Sequence, residues 1–209
     1  MNILVVAATS FEVQAFAESH PSAEILITGV GIPYSMYSLT EYLQNKKFDV
    51  IIQAGVAGAF DRNILLSKVF IVKEDVFATT GILEKNEFIT LSEAKLKIDS
   101  DIFIKDKLIN TGKILNTISL PFANSITVDT VTDNKDLNNL FQKKYSAGLE
   151  SMEGAVLHYV ALKKKIPFLQ IRSVSNYVGE RDKSKWQLQP AIKSLNIELS
   201  KIYNYLIKQ

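Results

Sequence analysis

The segment Ile166-Pro-Phe-Leu-Gln-Ile-Arg-Ser-Val-Ser-Asn176 is the part of the chain that most clearly indicates its fold. An apolar run leads into Arg172 and then into short polar residues that end at Asn176. This order is typical of a buried strand whose carboxyl end opens into the binding crevice of an α/β sheet. Upstream, Ser151-Met-Glu-Gly-Ala155 places a carboxylate in the first turn of a predicted helix. An amide and a carboxylate beside one crevice suit a ligand that carries a heterocycle and a diol.

Strand-like and helix-like segments alternate from the N-terminus onward. The pattern predicts strands over residues 3–8, 24–28 and 48–53, and helices over residues 11–19 and 33–46. Such alternation indicates an α/β fold, with three α/β/α layers around a central sheet that is mixed but mainly parallel.

The middle of the chain has a more β-like pattern. A long strand is predicted over residues 69–78 and a hairpin over 81–91, followed by strands over 113–119 and 125–128. These segments carry Val, Ile and Phe at the spacing expected of half-buried strands.

Helical patterns return in the last third of the chain. Thr132-Asp133 is expected to cap a helix that runs through Lys144, and further helices are predicted over residues 152–164 and 186–208. No repeat, low-complexity tract or linker interrupts the pattern, so residues 1–209 are expected to form a single domain.

The composition excludes several classes of function. The net charge of +2, from 24 basic and 22 acidic residues, gives no strong field, so neither nucleic acid nor a membrane is expected as a partner. The absence of cysteine excludes disulfides, thiolate metal sites and a cysteine nucleophile. Two histidines cannot build a multi-histidine centre. We therefore expect neither a metal nor a cofactor.

The N-terminal sequence is not typical of a targeting signal. The apolar segment 3–8 lacks a preceding basic region and soon meets Glu12. No apolar stretch is long enough to cross a bilayer. The sequence therefore predicts a cytoplasmic protein.

Two features near the N-terminus have simple alternative interpretations. Gly29-Val-Gly31 resembles a dinucleotide-binding turn, but Tyr34 stands where the third glycine would fall. A simpler interpretation is that these small residues let the backbone pass close to a small ligand. Glu12 follows the first strand, where α/β sheets place ligands. Taken alone, it is also explained as a first-turn carboxylate that the helix dipole favours.

Several short motifs together resemble those of one enzyme family. They occur in the order Glu12, Gly29-Val-Gly31, Gln53-Ala-Gly-Val-Ala-Gly58, Val128-Asp-Thr130, Ser151-Met-Glu-Gly-Ala155 and Arg172-Ser-Val-Ser-Asn176. This set is similar to that of the purine nucleoside phosphorylase and nucleosidase superfamily, particularly the methylthioadenosine/S-adenosylhomocysteine nucleosidases. The resemblance covers nearly the whole chain. Within the superfamily, the run from Ser175 to Asp182 is most similar to that of the futalosine hydrolases.

The resemblance implies a role for each matching side chain. Glu153 matches the glutamate that holds the ribose 2′- and 3′-hydroxyls, and Met152 matches the methionine on the ribose face. Glu12 matches the carboxylate that activates the hydrolytic water. Val131 and Thr132 match base-binding positions, although Val131 replaces the phenylalanine of adenine-specific enzymes.

The resemblance also implies a pocket wall of backbone and a partner chain. Gly31, Ala54, Gly55 and Val56 match positions whose backbone borders the pocket. Members of the family usually form homodimers in which a partner residue closes the pocket, so a homodimer is expected.

Two departures from the family pattern bear on the reaction. Phosphorylases carry an arginine and a serine where Gln53 and Val56 stand, and an amide and an isopropyl group cannot grip phosphate in their place. Adenine-cleaving enzymes carry an aspartate where Asn176 stands. An asparagine has no ionisable proton, but it can donate to and accept from the edge of a 6-oxopurine. The leading hypothesis is therefore hydrolysis rather than phosphorolysis of a hypoxanthine nucleoside.

The sequence is therefore compatible with three functions. The first is the hydrolysis of futalosine to hypoxanthine and dehypoxanthinylfutalosine in menaquinone biosynthesis. The second is a nucleosidase for methylthioadenosine, S-adenosylhomocysteine or aminodeoxyfutalosine, which Asn176 disfavours. The third is a nucleoside-binding domain without catalysis, which would have no need of a water-activating base such as Glu12.

Overall fold

Strands and helices alternate over the residues that the computed structural model describes, which are 1–85, 87–96 and 101–209. The strands are β1 (Ile3–Ala7), β2 (Glu24–Ile27), β3 (Val50–Ala59), β4 (Val69–Asp75), β5 (Gly81–Glu84), β6 (Glu87–Thr90), β7 (Phe103–Ile104), β8 (Lys107–Ile109), β9 (Phe122–Thr127), β10 (Leu149–Ser151) and β11 (Phe168–Tyr177). The helices are α1 (Ser10–Ser19), α2 (Ile32–Asn45), α3 (Lys135–Tyr145), α4 (Gly154–Lys164) and α5 (Leu188–Leu206). Short 3₁₀ helices cover Lys113–Thr117 and Lys183–Lys185.

A mixed sheet organises the fold. Its strands follow the order β2-β1-β3-β10-β9-β4-β8-β7, and β11 pairs with both β3 and β4. Because of this double pairing, β3, β10, β9, β4 and β11 close into a ring. The pairs β1–β2, β1–β3, β3–β11, β9–β10 and β4–β9 are parallel, whereas β3–β10, β4–β11, β4–β8 and β7–β8 are antiparallel. The predicted α/β class and mixed sheet are thus confirmed.

Helices cover both faces of the sheet. On β1, alternate side chains point to opposite faces. Ile3, Val5 and Ala7 pack with residues of α1 and α5, whereas Leu4 and Val6 pack with residues of α2 and α4. The predicted three layers are therefore present, and the two hydrophobic cores fix the orientation of the strand ends.

The long parallel pairing of β3 with β11 brings functional segments together. It runs from Ile51 opposite Phe168 to Ala59 opposite Tyr177, with a shift in register between Val174 and Asn176. A bulge of this kind changes the direction in which a side chain points and is common beside binding sites. β3 also runs six residues past the predicted end at residue 53, through Gly55 and Gly58.

The strand predicted over residues 113–119 is wrong, because Lys113–Thr117 forms a 3₁₀ helix. Leu115 is buried in the core beneath α1 and α5, and its neighbour Ile114 packs against the same core. Consecutive residues of a strand would point to opposite faces, whereas a tight helical turn directs both toward one core.

The boundaries of several other elements also differ from the prediction. The cap of α3 is Asn134, whose Oδ1 accepts from the N–H groups of Asp136 and Leu137 at 3.0 and 3.1 Å. The predicted cap, Thr132-Asp133, lies just before it. The predicted hairpin is present as β5 and β6, although its residue 86 lies outside the described residues. Among the described residues, no helix combines the length and apolarity needed to span a membrane.

Candidate active site

A cavity of about 370 Å³ lies where the carboxyl ends of β1, β10 and β11 meet the C-terminal half of β3. The predicted site residues that line it are Glu12, Val56, Val131, Thr132, Met152, Glu153 and Asn176. Side chains separated by most of the chain length therefore meet at one place, as expected of ligand sites in α/β sheets.

Glu12 is held in one orientation at the start of α1. Its Oε2 accepts from the backbone N–H and the hydroxyl of Thr9, at 3.1 and 3.0 Å, and its Oε1 accepts from the N–H of Val56 at 3.0 Å. The side chain is buried yet lines the cavity. These donors fix the carboxylate while leaving further lone-pair directions for a water or a ligand.

Gly55 provides the space in which Glu12 and Arg172 approach β3. A Cβ atom at this position would lie 2.2 Å from Arg172 Nη1 and 3.0 Å from Glu12 Oε1. The first distance is far inside van der Waals contact, so a residue without a side chain is required. The prediction named the backbone of Gly55 and Val56, and the structure brings both beside Glu12.

Glu153 lies just before α4 and is the second fixed carboxylate of the cavity. Its Oε1 accepts from the N–H of Gly31 at 2.9 Å, and its Oε2 lies 3.9 Å from Arg172 Nη1. Burial raises the pKa of the Glu153 carboxyl, and the positive charge of Arg172 opposes that rise. Gly31 thus contributes a backbone donor to the carboxylate, but it does not line the cavity, whose wall was expected to include its backbone.

Arg172 forms a buried positive centre beneath the cavity. It is only 1% exposed, and its Nη2 donates to Gln53 Oε1 at 3.1 Å. Gln53 in turn donates to the carbonyl of Glu153 at 3.4 Å. Neither Arg172 nor Gln53 lines the cavity, so both lie beneath it. From there they support its carboxylates.

Asn176 presents its amide at the bulge of β11. Its Oδ1 accepts from the Ser175 hydroxyl at 2.8 Å, and its Nδ2 donates to the carbonyl of Tyr177 at 3.1 Å. A Cβ at Gly58 would lie 3.3 Å from this nitrogen, so the glycine leaves room for the amide. One N–H and one acceptor lone pair remain available to a ligand.

The remaining predicted residues divide into two groups. Met152, Val131 and Thr132 line the cavity, and the Thr132 carbonyl accepts from Asn138 Nδ2 at 3.0 Å, which ties it to α3. Ala54, in contrast, is fully buried in the core beneath α1 and α5 and does not line the cavity. In β3 its side chain points away from the ligand side, into the packed layer.

Glu150 lines the cavity but was not among the predicted site residues. Burial raises the pKa of its carboxyl to about 7, and the charge of Arg181 opposes that rise. The available signal was an acidic residue immediately before the Ser151-Met-Glu motif, in a stretch for which the sequence pattern predicted no helix or strand. Buried ionisable side chains are uncommon and frequently functional.

Comparison with known proteins places the chain in a family. The family model of the phosphorylase superfamily matches residues 2–207. The chain belongs to the phosphorylase superfamily. The superfamily predicted from the sequence motifs is therefore confirmed.

Several relatives in this superfamily are futalosine hydrolases. The chain is 26% identical to futalosine hydrolase of Thermus thermophilus over 173 residues, covering 81% of this chain and 76% of that protein. It is 22% identical to futalosine hydrolase of Streptomyces coelicolor, covering 97% of this chain and 95% of that protein.

Solved superfamily structures share the fold. Futalosine hydrolase of Helicobacter pylori aligns with a TM-score of 0.79 at 14% identity, over 97% of each chain. The 5′-methylthioadenosine/S-adenosylhomocysteine nucleosidase of the same organism, solved with butyl-thio-DADMe-Immucillin-A, aligns with the same TM-score, identity and coverage. Structural likeness at this identity establishes the architecture and does not separate the two enzyme types.

Proposed function

We propose that the protein hydrolyses the N-glycosidic bond of futalosine, releasing hypoxanthine and dehypoxanthinylfutalosine in menaquinone biosynthesis. The observation that carries the proposal is the placement of the Glu12 carboxylate and the Asn176 amide in one cavity. A carboxylate that activates water and an amide that reads a 6-oxopurine are the two functions this reaction requires. The futalosine hydrolases among the relatives support the same substrate.

The geometry suggests how water is used. Glu12 has its position fixed by Thr9 and Val56, so it can orient a water and accept its proton as the oxygen bonds to the sugar C1′. The C1′–N9 bond breaks, and positive charge develops on the sugar. Glu153, held by Gly31, accepts hydrogen bonds from the ribose diol and stabilises that charge.

Charge in the cavity favours water over phosphate as the nucleophile. Within the described residues, its ionisable lining consists of four carboxyl groups, those of Glu12, Glu150, Glu153 and Glu180, and one cation, Arg181. Burial raises the pKa of Glu150 to about 7, which favours the neutral form of this carboxyl. A phosphate in the cavity would lie close to several carboxylates, and repulsion between negative charges at such short range is unfavourable. Val56 cannot replace the serine that phosphorylases carry at this position, because its side chain is apolar and its N–H already donates to Glu12.

The amide of Asn176 favours hypoxanthine over adenine as the leaving base. An amide donates from its nitrogen and accepts at its oxygen, which matches the carbonyl and ring N–H of a 6-oxopurine. Because Asn176 is only partly exposed, a base with the wrong pattern would leave polar groups unpaired. This reasoning separates the proposed function from a methylthioadenosine/S-adenosylhomocysteine nucleosidase.

The test is the release of free base from a panel of nucleosides by the purified protein. Futalosine and inosine should yield hypoxanthine without phosphate, whereas methylthioadenosine and adenosine should yield far less adenine. An absolute requirement for phosphate would contradict hydrolysis. Preferred release of adenine would favour the alternative nucleosidase, and tight binding of futalosine without turnover would favour a binding domain.

A homodimer is part of the proposal. The N-terminal part of α2 and the preceding turn expose Val30, Tyr34 and Tyr37, of which the two tyrosines are 69% and 68% exposed. Val30 also lines the cavity, so a partner on this apolar surface would border the substrate. Light scattering should report twice the monomer mass, and Tyr34→Lys combined with Tyr37→Lys should produce monomers. The cytoplasmic location stays a prediction from the sequence.

A further inference from the structure

Glu150 lies in a row of residues that crosses three strands at the cavity. Gly58 of β3 stands opposite Glu150 on β10 and opposite Asn176 on β11. Residues in register on neighbouring strands point to the same face of a sheet, and strands lie about 5 Å apart. The Glu150 and Asn176 Cα atoms are therefore about 10 Å apart, with no side chain on the residue between them. Asn176 Nδ2 extends over this glycine, because it lies 3.3 Å from the position that a Gly58 Cβ would take, and the amide and the Glu150 carboxyl therefore border the same part of the cavity.

The carboxyl of Glu150 has no hydrogen-bonding partner in the described part of the chain, although the residue is only 8% exposed. The other cavity carboxylates differ in this respect. Glu12 accepts from Thr9 and Val56, and Glu153 accepts from Gly31. A buried carboxyl without a partner is costly unless it is neutral or meets a ligand. Glu150 is therefore available to a molecule in the cavity.

The surroundings of Glu150 favour its protonated form near neutral pH. Burial raises the pKa of the carboxyl to about 7 against the opposing charge of Arg181. The other charged groups that line the cavity within the described residues are Glu12, Glu153 and Glu180. The pKa of Glu180 is lowered, chiefly by its hydrogen bond with Lys185, so Glu180 is not a proton donor at neutral pH.

We propose that Glu150 is the catalytic acid that protonates the departing purine. The assignment rests on the proposed nucleosidase function. Its chemistry also fills a gap in that function, because Asn176 has no ionisable proton to give.

The proton transfers balance. As the C1′–N9 bond breaks, its electron pair stays on the purine, and the Glu150 proton moves to a basic ring nitrogen of that base. The water oxygen bonds to C1′, and its proton moves to Glu12. Exchange with solvent then returns one proton to Glu150 and removes one from Glu12, so the net reaction consumes one water.

Glu150→Gln is the test variant, because it keeps the size and polarity of the side chain but cannot donate a proton. The activity on inosine and on futalosine should fall roughly 100-fold or more. The activity on 4-nitrophenyl β-D-ribofuranoside should stay within roughly threefold of the unmodified protein, since nitrophenolate leaves without protonation. Glu12→Gln should lose both activities. Glu150→Asp should recover part of the purine activity, and Glu198→Gln on α5 provides a matched change outside the cavity.

A pH profile provides a second, independent measurement. Activity of the unmodified protein on inosine should decline as pH rises above about 7, where Glu150 loses its proton. The residual activity of Glu150→Gln should show no such decline. This comparison decides the assignment even if the nitrophenyl riboside is not accepted.

The outcomes separate the two proposals. If the unmodified protein cleaves purine nucleosides but Glu150→Gln matches it, the acid role is wrong and the nucleosidase function stands. Equal losses on both substrates, with an unchanged alkaline decline, would also contradict the acid role. If the unmodified protein releases no base from any purine nucleoside, the proposed function fails, and the role of Glu150 fails with it.

Discussion

The side-chain amide of Asn196 takes the place of a backbone hydrogen bond that would join Glu12 to Phe16 in a regular helix. Asn196 Oδ1 accepts from the Phe16 N–H at 2.8 Å, and its Nδ2 donates to the Glu12 carbonyl at 2.8 Å. At this point α1 is kinked, with Val13 at φ −124° and ψ 15°. Insertion of a side chain into the ladder is a known cause of such kinks. Asn196 of α5 thereby sets the direction in which Glu12 enters the cavity.

Asn196→Leu should therefore reduce both stability and activity. The variant leaves the Phe16 N–H and the Glu12 carbonyl buried without partners, which costs about 1–3 kcal/mol for each group. Urea denaturation should show a loss of roughly 2–6 kcal/mol. The matched control, Asn204→Leu on the exposed side of α5, removes only an exposed hydrogen bond between Asn204 Oδ1 and His20 Nε2 and should lose no more than about 1 kcal/mol. Equal stability of the two variants would show that the inserted amide contributes nothing.

Glu12→Gln should abolish turnover without unfolding the protein. The amide can keep one acceptor toward Val56 or Thr9, but it cannot accept the proton of the attacking water. We expect kcat for futalosine to fall at least roughly 100-fold, with the melting temperature little changed. Glu18→Gln, an exposed change on the same helix, should retain activity. Full turnover by Glu12→Gln would remove Glu12 from its role as base.

Gly55→Ala should displace the side chains of Arg172 and Glu12, which pack against Gly55. The new methyl group would lie 2.2 Å from Arg172 Nη1 and 3.0 Å from Glu12 Oε1, so both side chains must move. We expect a loss of about 1–3 kcal/mol in the free energy of unfolding, together with a large loss of kcat. In Gly148→Ala the methyl group would meet its nearest atom, the Asn124 carbonyl oxygen, at 3.4 Å, which is ordinary contact. This second alanine variant should therefore resemble the unmodified protein in both measurements.

The sequence predicts those parts of the protein that depend on local pattern. Alternating apolar segments predict the α/β layers, and the strand ends predict that Glu12 and Asn176 share one crevice. The role of Asn196 could not be predicted in this way, because it acts on Glu12 from 184 residues away. The 3₁₀ helix Lys113–Thr117 was missed for a related reason, since only the position of the core shows which way its apolar side chains point.

Asn176→Asp should shift base preference toward adenine. An aspartate in this position can donate as an acid and accept from an amino group, whereas the amide matches a carbonyl and a ring N–H. Bases with the wrong pattern leave buried groups unpaired, so the ratio of kcat/KM for inosine over adenosine should fall at least roughly tenfold. The ratio is the informative quantity, because general damage to the site would lower both values together. An unchanged ratio would show that the base is read elsewhere.

The buried carboxyl of Glu150 should make stability depend on pH in a defined direction. Its pKa is raised in the folded state from its ordinary value of 4.5 to about 7 by burial, against the opposing charge of Arg181. The stabilisation from its proton is thus fully present below pH 4.5 and is lost as pH rises through about 7. Glu150→Gln has no carboxyl at this position, so it does not lose stability in this way. Its stability relative to the unmodified protein should therefore increase between pH 4.5 and pH 8, by at most about 3 kcal/mol.

Comparing the two proteins at each pH isolates this carboxyl. Asp75, whose pKa is raised to about 6, and His158, whose pKa is lowered to about 4, are shared by both proteins, so their contributions cancel in the difference. Urea titrations at pH 5 and pH 8 provide the measurement, with Glu198→Gln as the control for removing a carboxylate outside the cavity. A variant less stable than the unmodified protein by the same amount at both pH values would mean that Glu150 is ionised throughout. A carboxyl that is already ionised at pH 5 has no proton to donate near neutral pH. That result would therefore also exclude Glu150 as the catalytic acid.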